Sequence, residues 1–527
     1  MHPAELFELI VGMFLAVLAL HYLAHRLNLP PAAALLVGGS ALAFLPGLPS
    51  VAIDPELVLV LFLPPLLMDG AWYTALAPFK RHMAGILSLA VGAVVFTAFA
   101  VAIVAKLLMP DLPFAACVAL GAVLSPPDAV SARAVLQRVR LPRRLMTLLE
   151  GESLLNDAAG LVLFRFAVAA VLTGSFSLVE AGGSFVLLVL GGLLVGGAIG
   201  GLWVLLLRRL GDDSLMIVAT VLVCWSAYIA GEMLHVSGVI ATVAAGLTCG
   251  WFQHVVFGAG VRLRAVAFWQ SLVFLLEAAV FMLIGFSLRG VLERVGGISV
   301  VVEQMAGPVA LIVLAVLVAR FLWVFGVDAG VTMLRRAGWT RACPLGARAS
   351  LVMSWAGMRG VVTLAVALSL PAEMPQRDLM LVTAFAVIAV TVLLQGTSLG
   401  LLIRLAQPPE DDRAAPPLDL HAAENAMFKA QFVAVEKHAY DADGKLIHPQ
   451  LLARYRTRAT ASAKFEGTDE ERAHAIASHF DTVIAAVDAG RAELVRLHRA
   501  GQIDDATLHD LERDLDLEEL AAVSAKG

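Results

Sequence analysis

ALGAVLSPPDAVSARAV, residues 119–135, is an apolar run of the kind that crosses a membrane as a helix, cut in its middle by Ser125, Pro126, Pro127 and Asp128. Two successive prolines remove two amide donors and break a helix, and irregular backbone at membrane depth is tolerated only inside protein or beside a water-filled cavity. Carbonyls freed there can bind a cation directly, with Asp128 counted among the ion-binding candidates, and broken helices at the midplane are a mark of secondary transporters. A plain interfacial loop between two short spans is the alternative. Just downstream, GESLLNDAAGLVLF (151–164) places Ser153 and Asn156 at i,i+3 and Ser153 and Asp157 at i,i+4, so hydroxyl, amide and carboxylate share one helical face. That face offers hard oxygen ligands for a small cation, Asp157 and Ser153 foremost, with one carboxylate that can instead take a proton. A capping cluster at a helix start would need Ser153 but neither Asn156 nor Asp157. Upstream, LFLPPLL (61–67) reads as a second proline-interrupted span, and Asp69 after it is expected at the mouth of the same cavity.

The surrounding sequence is that of a membrane protein. Of 527 residues, 59% are AVILMFWYC and 15% DEKR, against roughly 45–50% and 25% in soluble domains, and the mean hydropathy is +0.83. Residues 1–407 carry 24 Lys+Arg and 20 Asp+Glu, whereas 408–527 carry 14 and 23, so an apolar body precedes an acidic tail. No basic domain suits a nucleic-acid partner. Thirteen spans are predicted, near 6–27, 31–48, 55–74, 82–108, 113–135, 151–174, 183–208, 213–231, 234–252, 266–288, 305–334, 346–371 and 378–404; their long non-alternating runs exclude a barrel. Alternate connections hold sixteen Lys and Arg against four, which puts the N-terminus outside and the tail in the cytoplasm. MHPAELFELI carries Glu5 and Glu8 in place of a positive leader, so the first apolar segment is expected to be retained. Cys117, Cys224, Cys249 and Cys343 read as small core residues. The run LVLGGLLVGGAIGG (188–201) pairs Gly192 with Gly196 and Gly197 with Gly201 at the spacing of close helix packing, within one chain or between two. Past the linker QPPEDDRAAPPLD, segments 422–438, 470–487 and 490–522 have helical periodicity, and the tail holds seven of thirteen histidines.

Ionisable groups inside apolar spans are functional candidates because their burial is costly. Arg320 and Arg359 supply positive charge, with Glu152 and Asp128 as natural partners. Glu152 lies five positions before Asp157, about 500° around the helix and so some 140° from the ligand face. It is expected to point at a neighbouring helix. Glu277, Glu232, His235, Arg165 and Asp328 suit helix ends or packing equally well.

LSPPDAV (124–130), GESLLNDAAGLVLF, AGEMLHVSGVIA (230–241), ARFLWV (319–324) and GMRGVVTLAVAL (357–368), in this order, closely resemble the sodium/proton antiporter family that includes bacterial antiporters and animal exchangers. The resemblance covers nearly all of 1–407 and implies an all-α polytopic membrane protein of about thirteen transmembrane helices, with inverted repeats and crossed broken helices, a dimerisation half and a mobile core half, a homodimer, and alternating access. By position it makes Asp157 the ion-binding, proton-carrying acid, Asn156 its neutral partner, Ser153 a side-chain ligand, Pro127 a carbonyl donor and Asp69 an acid near the cavity. Glu152 and Arg320 match an interhelical ion pair, and Arg359 the charge-compensating arginine near the crossing. Where the family usually has Thr-Asp-Pro, this chain has Pro127-Asp128-Ala129.

The function expected is secondary active exchange of sodium, or of potassium or lithium, for protons across the cell inner membrane, electroneutral, serving pH and cation homeostasis. One carboxylate cannot hold a cation and a proton together, so loading with one expels the other. The competing readings are an anion carrier, in which Arg320 and Arg359 would bind substrate, and a channel or sensor signalling through the tail. No catalytic nucleophile or nucleotide loop marks an enzyme, and no cofactor is expected. Besides its substrates and membrane lipid, the expected partner is a second copy of the chain.

Overall fold

A computed structural model describes residues 3–27, 29–44, 55–128, 141–174, 178–340, 342–409, 420–440, 445–464, 469–499, 502 and 505–526. Every regular element among them is a helix, beside one isolated bridge between Tyr440 and Leu446. The chain divides into two compact units, Met1–Ala414 and Ala415–Gly527. The expected linker falls largely on 410–419 and the end of the 113–135 span on 129–135, both outside the described residues.

In the first unit the helices are α1 (Pro3–Arg26), α2 (Pro31–Ala43), α3 (Pro55–Trp72), the short α4 (Leu76–Arg81), α5 (Met83–Leu108), α6 (Phe114–Leu124), α7 (Arg143–Thr173), α8 (Leu178–Leu207), α9 (Asp213–Met233), α10 (Gly238–Val256), α11 (Ala259–Val295), α12 (Ile298–Arg336), α13 (Ala347–Trp355), α14 (Val361–Leu368) and α15 (Arg377–Ala406). Eight of the described helices are long and apolar enough to cross a membrane, and further apolar helices are shorter.

Three expectations change. α7 begins at Arg143, after Pro142, so Glu152 and Ser153 lie almost three turns inside it and Ser153 caps no helix start. α10 begins at Gly238, later than 234, because His235 takes φ +55° in a tight turn and the Ser237 hydroxyl accepts the Ile240 amide at 3.2 Å. α3 runs unbroken through Pro64 and Pro65. Pro64 leaves the carbonyl of Val60, four residues back, without its amide donor, and the Trp225 indole N–H of α9 supplies one at 3.0 Å.

The glycine run packs within the chain. A Cβ at Gly196 would strike the Ala241 carbonyl of α10, and one at Gly192 would come within 2.9 Å of the Ser237 oxygen, whereas Gly197 and Gly201 face open space. α8 and α10 therefore touch backbone to backbone along one glycine column.

In the second unit α16 (Leu420–His438) packs on α17 (Pro449–Lys464), and α18 (Asp469–Arg499) on α19 (Asp505–Lys526). The segments expected at 470–487 and 490–522 are divided differently: α18 runs through Gly490 to Arg499 and α19 starts at Asp505, and a Cβ at Gly490 would meet Leu515 of α19. Arg491 joins the two helices through Asp516 at 2.8 Å and Glu519 at 2.5 Å.

Candidate ion-exchange site

Two interrupted elements meet in the first unit. α6 stops at Leu124 because Pro126 and Pro127 carry no amide hydrogen, and α13 and α14 are separated by Ala356–Gly360. Their irregular segments bond to each other, the Asp128 amide donating to the Met358 carbonyl at 2.6 Å. Arg359, 1% exposed, reaches across the break: Nε donates to the Leu124 carbonyl at 3.0 Å, one Nη to the Ser125 carbonyl at 3.1 Å, and the other to Gly357. Its amide donates to the Thr391 hydroxyl at 3.0 Å, and that hydroxyl donates to the Val387 carbonyl at 2.8 Å.

The charges follow from helix ends. The last carbonyls of α6 have no intrahelical partner and carry the negative end of its dipole, so a guanidinium suits them. Asp128 lies at the opposite kind of end. Gly360, just before α14, leaves no room for a Cβ beside an Asp128 carboxylate oxygen, which places that carboxylate against the N-terminus of α14. The expected charge compensation by Arg359 is thus directed at carbonyls, not delivered as a side-chain ion pair with the acid.

α7 lies against this crossing. Gly160 permits the approach, since a Cβ there would strike the Pro126 ring. Asn156, fully buried, donates its amide to the Pro127 carbonyl, while its own Oδ1 is buried with no hydrogen-bond partner. Asp157, one residue on, is 8% exposed, and Ser153 is half-buried one turn earlier. Pro127, Asp128, Asn156 and Asp157 therefore gather at one place. Asp69 is half-buried on α3, a separate helix that packs against α7 and α14.

Glu152 turns to another neighbour. It receives both terminal nitrogens of Arg320, Nη1 to Oε1 at 2.6 Å and Nη2 to Oε2 at 3.0 Å, with both side chains buried. Arg320 also donates to the Met353 carbonyl from Nε at 3.3 Å and Nη2 at 3.1 Å, and it lies on Gly357, where a Cβ would collide with it. The pair thus fastens α7 to α12 and to the second break.

A profile described as "Sodium/hydrogen exchanger, transmembrane" matches residues 11–405. The chain belongs to the sodium/hydrogen exchanger family. It is 33% identical to an uncharacterized Na(+)/H(+) exchanger of Mycobacterium tuberculosis over 97% of this chain and 95% of that one. A "Sodium, potassium, lithium and rubidium/H(+) antiporter" of Bacillus pumilus is 33% identical over 77% of this chain and 62% of its own length. The solved sodium proton antiporter MjNhaP1 of Methanocaldococcus jannaschii matches with TM-score 0.59 and 20% identity, over 76% of this chain and 98% of that one, a likeness of fold.

Against this exchanger fold the weaker candidates separate. The Asp328 carboxylate accepts the amides of Leu345 at 2.5 Å and Gly346 at 3.2 Å, bracing the turn before α13. Arg165 and Glu232 form a half-exposed pair at 3.3 Å, and Glu232 also accepts the Gly238 amide, so both are engaged at the α9–α10 turn. Sequence reading missed Thr391, whose hydroxyl fixes the Arg359 main chain; the signal available was a lone polar pair, Thr391 and Gln395, in the apolar run IAVTVLLQ.

Proposed function

We propose that the chain exchanges sodium for protons, with Asp157 as the group that holds one or the other. The single observation behind this reading is the burial of Asp157 beside Asn156, which holds the Pro127 carbonyl of a broken helix. A dehydrated cation needs oxygen ligands, and on this reading the Asp157 carboxylate, the Asn156 and Pro127 carbonyls, the Ser153 hydroxyl and the Asp128 carboxylate supply them. Protonation of Asp157 removes the charge that pays for dehydration, so the cation leaves. Asp69 serves as an acid of the approach, and Asp128 with Arg359 holds the crossing electrostatically balanced.

The proposal extends to thirteen crossings with the N-terminus outside and the tail in the cytoplasm, a homodimer in the inner membrane, alternating access, and a part in pH and cation homeostasis. Potassium and lithium are the alternative cations, favoured by the name of the Bacillus relative. An anion carrier fits poorly, because Arg320 is committed to Glu152 and Met353 and Arg359 to three carbonyls.

The test is dye-monitored pH in everted vesicles, titrating each alkali cation. Asp157→Asn should abolish cation-driven proton movement while the protein still reaches the membrane; full exchange by that variant overturns the assignment. Because the Asn156-Asp157 pair contributes one titratable carboxylate, exchange should be one for one. Transport that generates a membrane potential, or responds strongly to an imposed one, would contradict that stoichiometry.

A further inference from the structure

The end of α3, the turn after α10 and the first turns of α11 line a cavity of about 70 Å³. Its walls are aromatic: Trp72 and Phe257 stack with centroids 5.8 Å apart, and Trp269 is buried beside them. The polar atoms of these walls are already used. The Trp72 indole donates to Gln253 Oε1 at 2.9 Å, the Trp269 indole to the Thr220 hydroxyl at 2.9 Å, and that hydroxyl to the Ile217 carbonyl at 2.6 Å. What remains on the lining is a set of donors: the Gln253 side-chain NH2, the Tyr73 hydroxyl at 49% residue exposure, and the guanidinium of Arg262. Arg262 spends one N–H on the Phe257 carbonyl at 2.5 Å. Among the described residues it has no carboxylate partner, whereas Arg264, two positions on, is paired with Asp213.

An apolar cup whose acceptors are consumed, and whose free groups are a guanidinium and two neutral donors, selects an oxyanion. The planar fork of arginine matches phosphate oxygens in particular. Arg262 also belongs to one of the connections in which the sequence concentrates arginine, and amphipathic aromatic rings gather where a bilayer meets water. We propose that this cavity binds the phosphate group of a phosphate ester, with Arg262 as the charged ligand, Tyr73 and Gln253 as donors, and the Trp72–Phe257 stack against the organic part. An anionic phospholipid headgroup and a soluble phosphate share this chemistry, and the experiment separates them.

Full-length protein in detergent is assayed for thermal unfolding and by native mass spectrometry with phosphatidylglycerol, with phosphatidylcholine, and with inorganic phosphate against chloride at equal ionic strength. Phosphatidylglycerol should bind at least tenfold more tightly than phosphatidylcholine and raise the unfolding temperature. Arg262→Gln should weaken that binding at least tenfold, and Arg264→Gln should leave it unchanged. Protection by inorganic phosphate alone, lost in Arg262→Gln, assigns the site to a soluble phosphate. Equal binding by wild type and Arg262→Gln in every arm overturns the proposal. Should Arg262→Gln fail to fold, Arg262→Lys, which keeps the charge but loses the fork, and Tyr73→Phe decide it: each should weaken binding several-fold, and unchanged binding in both overturns it.

Discussion

Pro-Pro occurs twice inside apolar sequence, at 64–65 and at 126–127, and the two pairs have opposite outcomes. At 64–65 the helix continues, because the Val60 carbonyl that loses its donor receives the Trp225 indole from the side. At 126–127 it stops. There the Leu124 and Ser125 carbonyls go to Arg359, and the Asp128 amide, which in a continuing helix would return to Leu124, goes to Met358 instead. By the same four-residue rule Pro126 and Pro127 strip the donors of Ala122 and Val123, and the Ser125 hydroxyl donates to Ala122 at 3.3 Å; the Leu124 and Ser125 carbonyls are open because the helix ends there, and it is these that Arg359 takes. A neutral donor accompanies the helix that continues, whereas at the break a buried cation takes the Leu124 and Ser125 carbonyls and the Asn156 amide takes that of Pro127.

The difference can be broken most severely from the crossing side. Arg359→Gln removes charged hydrogen bonds to two helix-end carbonyls, worth roughly 1.5–3 kcal/mol each, so a stability loss of about 3–6 kcal/mol is expected, together with loss of exchange. A thermal unfolding curve and the vesicle assay measure both. An Arg359→Gln protein as stable and active as wild type would mean that the break holds without its cation.

The Glu152–Arg320 pair is the next largest. Glu152→Gln or Arg320→Gln alone leaves an uncompensated buried charge and should cost about 3–5 kcal/mol, while the double substitution should recover much of that loss. If the two losses simply add in the double-mutant cycle, the pair does not couple α7 to the second break.

The smallest effects belong to α3. Trp225→Phe strips the donor from Val60 and should cost about 1 kcal/mol, near the low end for a carbonyl left unpaired. Pro64→Ala restores the amide, and in that background Trp225→Phe should cost almost nothing. Equal costs of Trp225→Phe with and without Pro64 would show that the indole does not act through the proline defect.

These comparisons explain what was legible in the sequence. Helical class, the break at Ser125–Asp128 and the grouping of Asn156 with Asp157 follow from hydropathy and side-chain spacing, which are local properties. The continuity of α3 was not legible, since its repair comes from Trp225, 165 positions later. Arg359 likewise gave away its charge but not its partners, because every residue has a carbonyl and sequence does not rank them. The Ser153 capping alternative requires a helix starting near Gly151; RRLMTLLE before it is already helical, and its charged residues mask that in the hydropathy.

The glycine column of α8 bears on what substitutions this family member can accumulate. Between helices in lipid there is little hydrophobic force to hold a pair together, so the contact with α10 relies on backbones lying close. At Gly196 even a methyl group has nowhere to go, while at Gly197, the adjacent residue, it meets nothing. Neighbouring codons thus face opposite selection. Within one copy of the chain a methyl group is accommodated at Gly197, whereas at Gly196 it forces α8 away from α10.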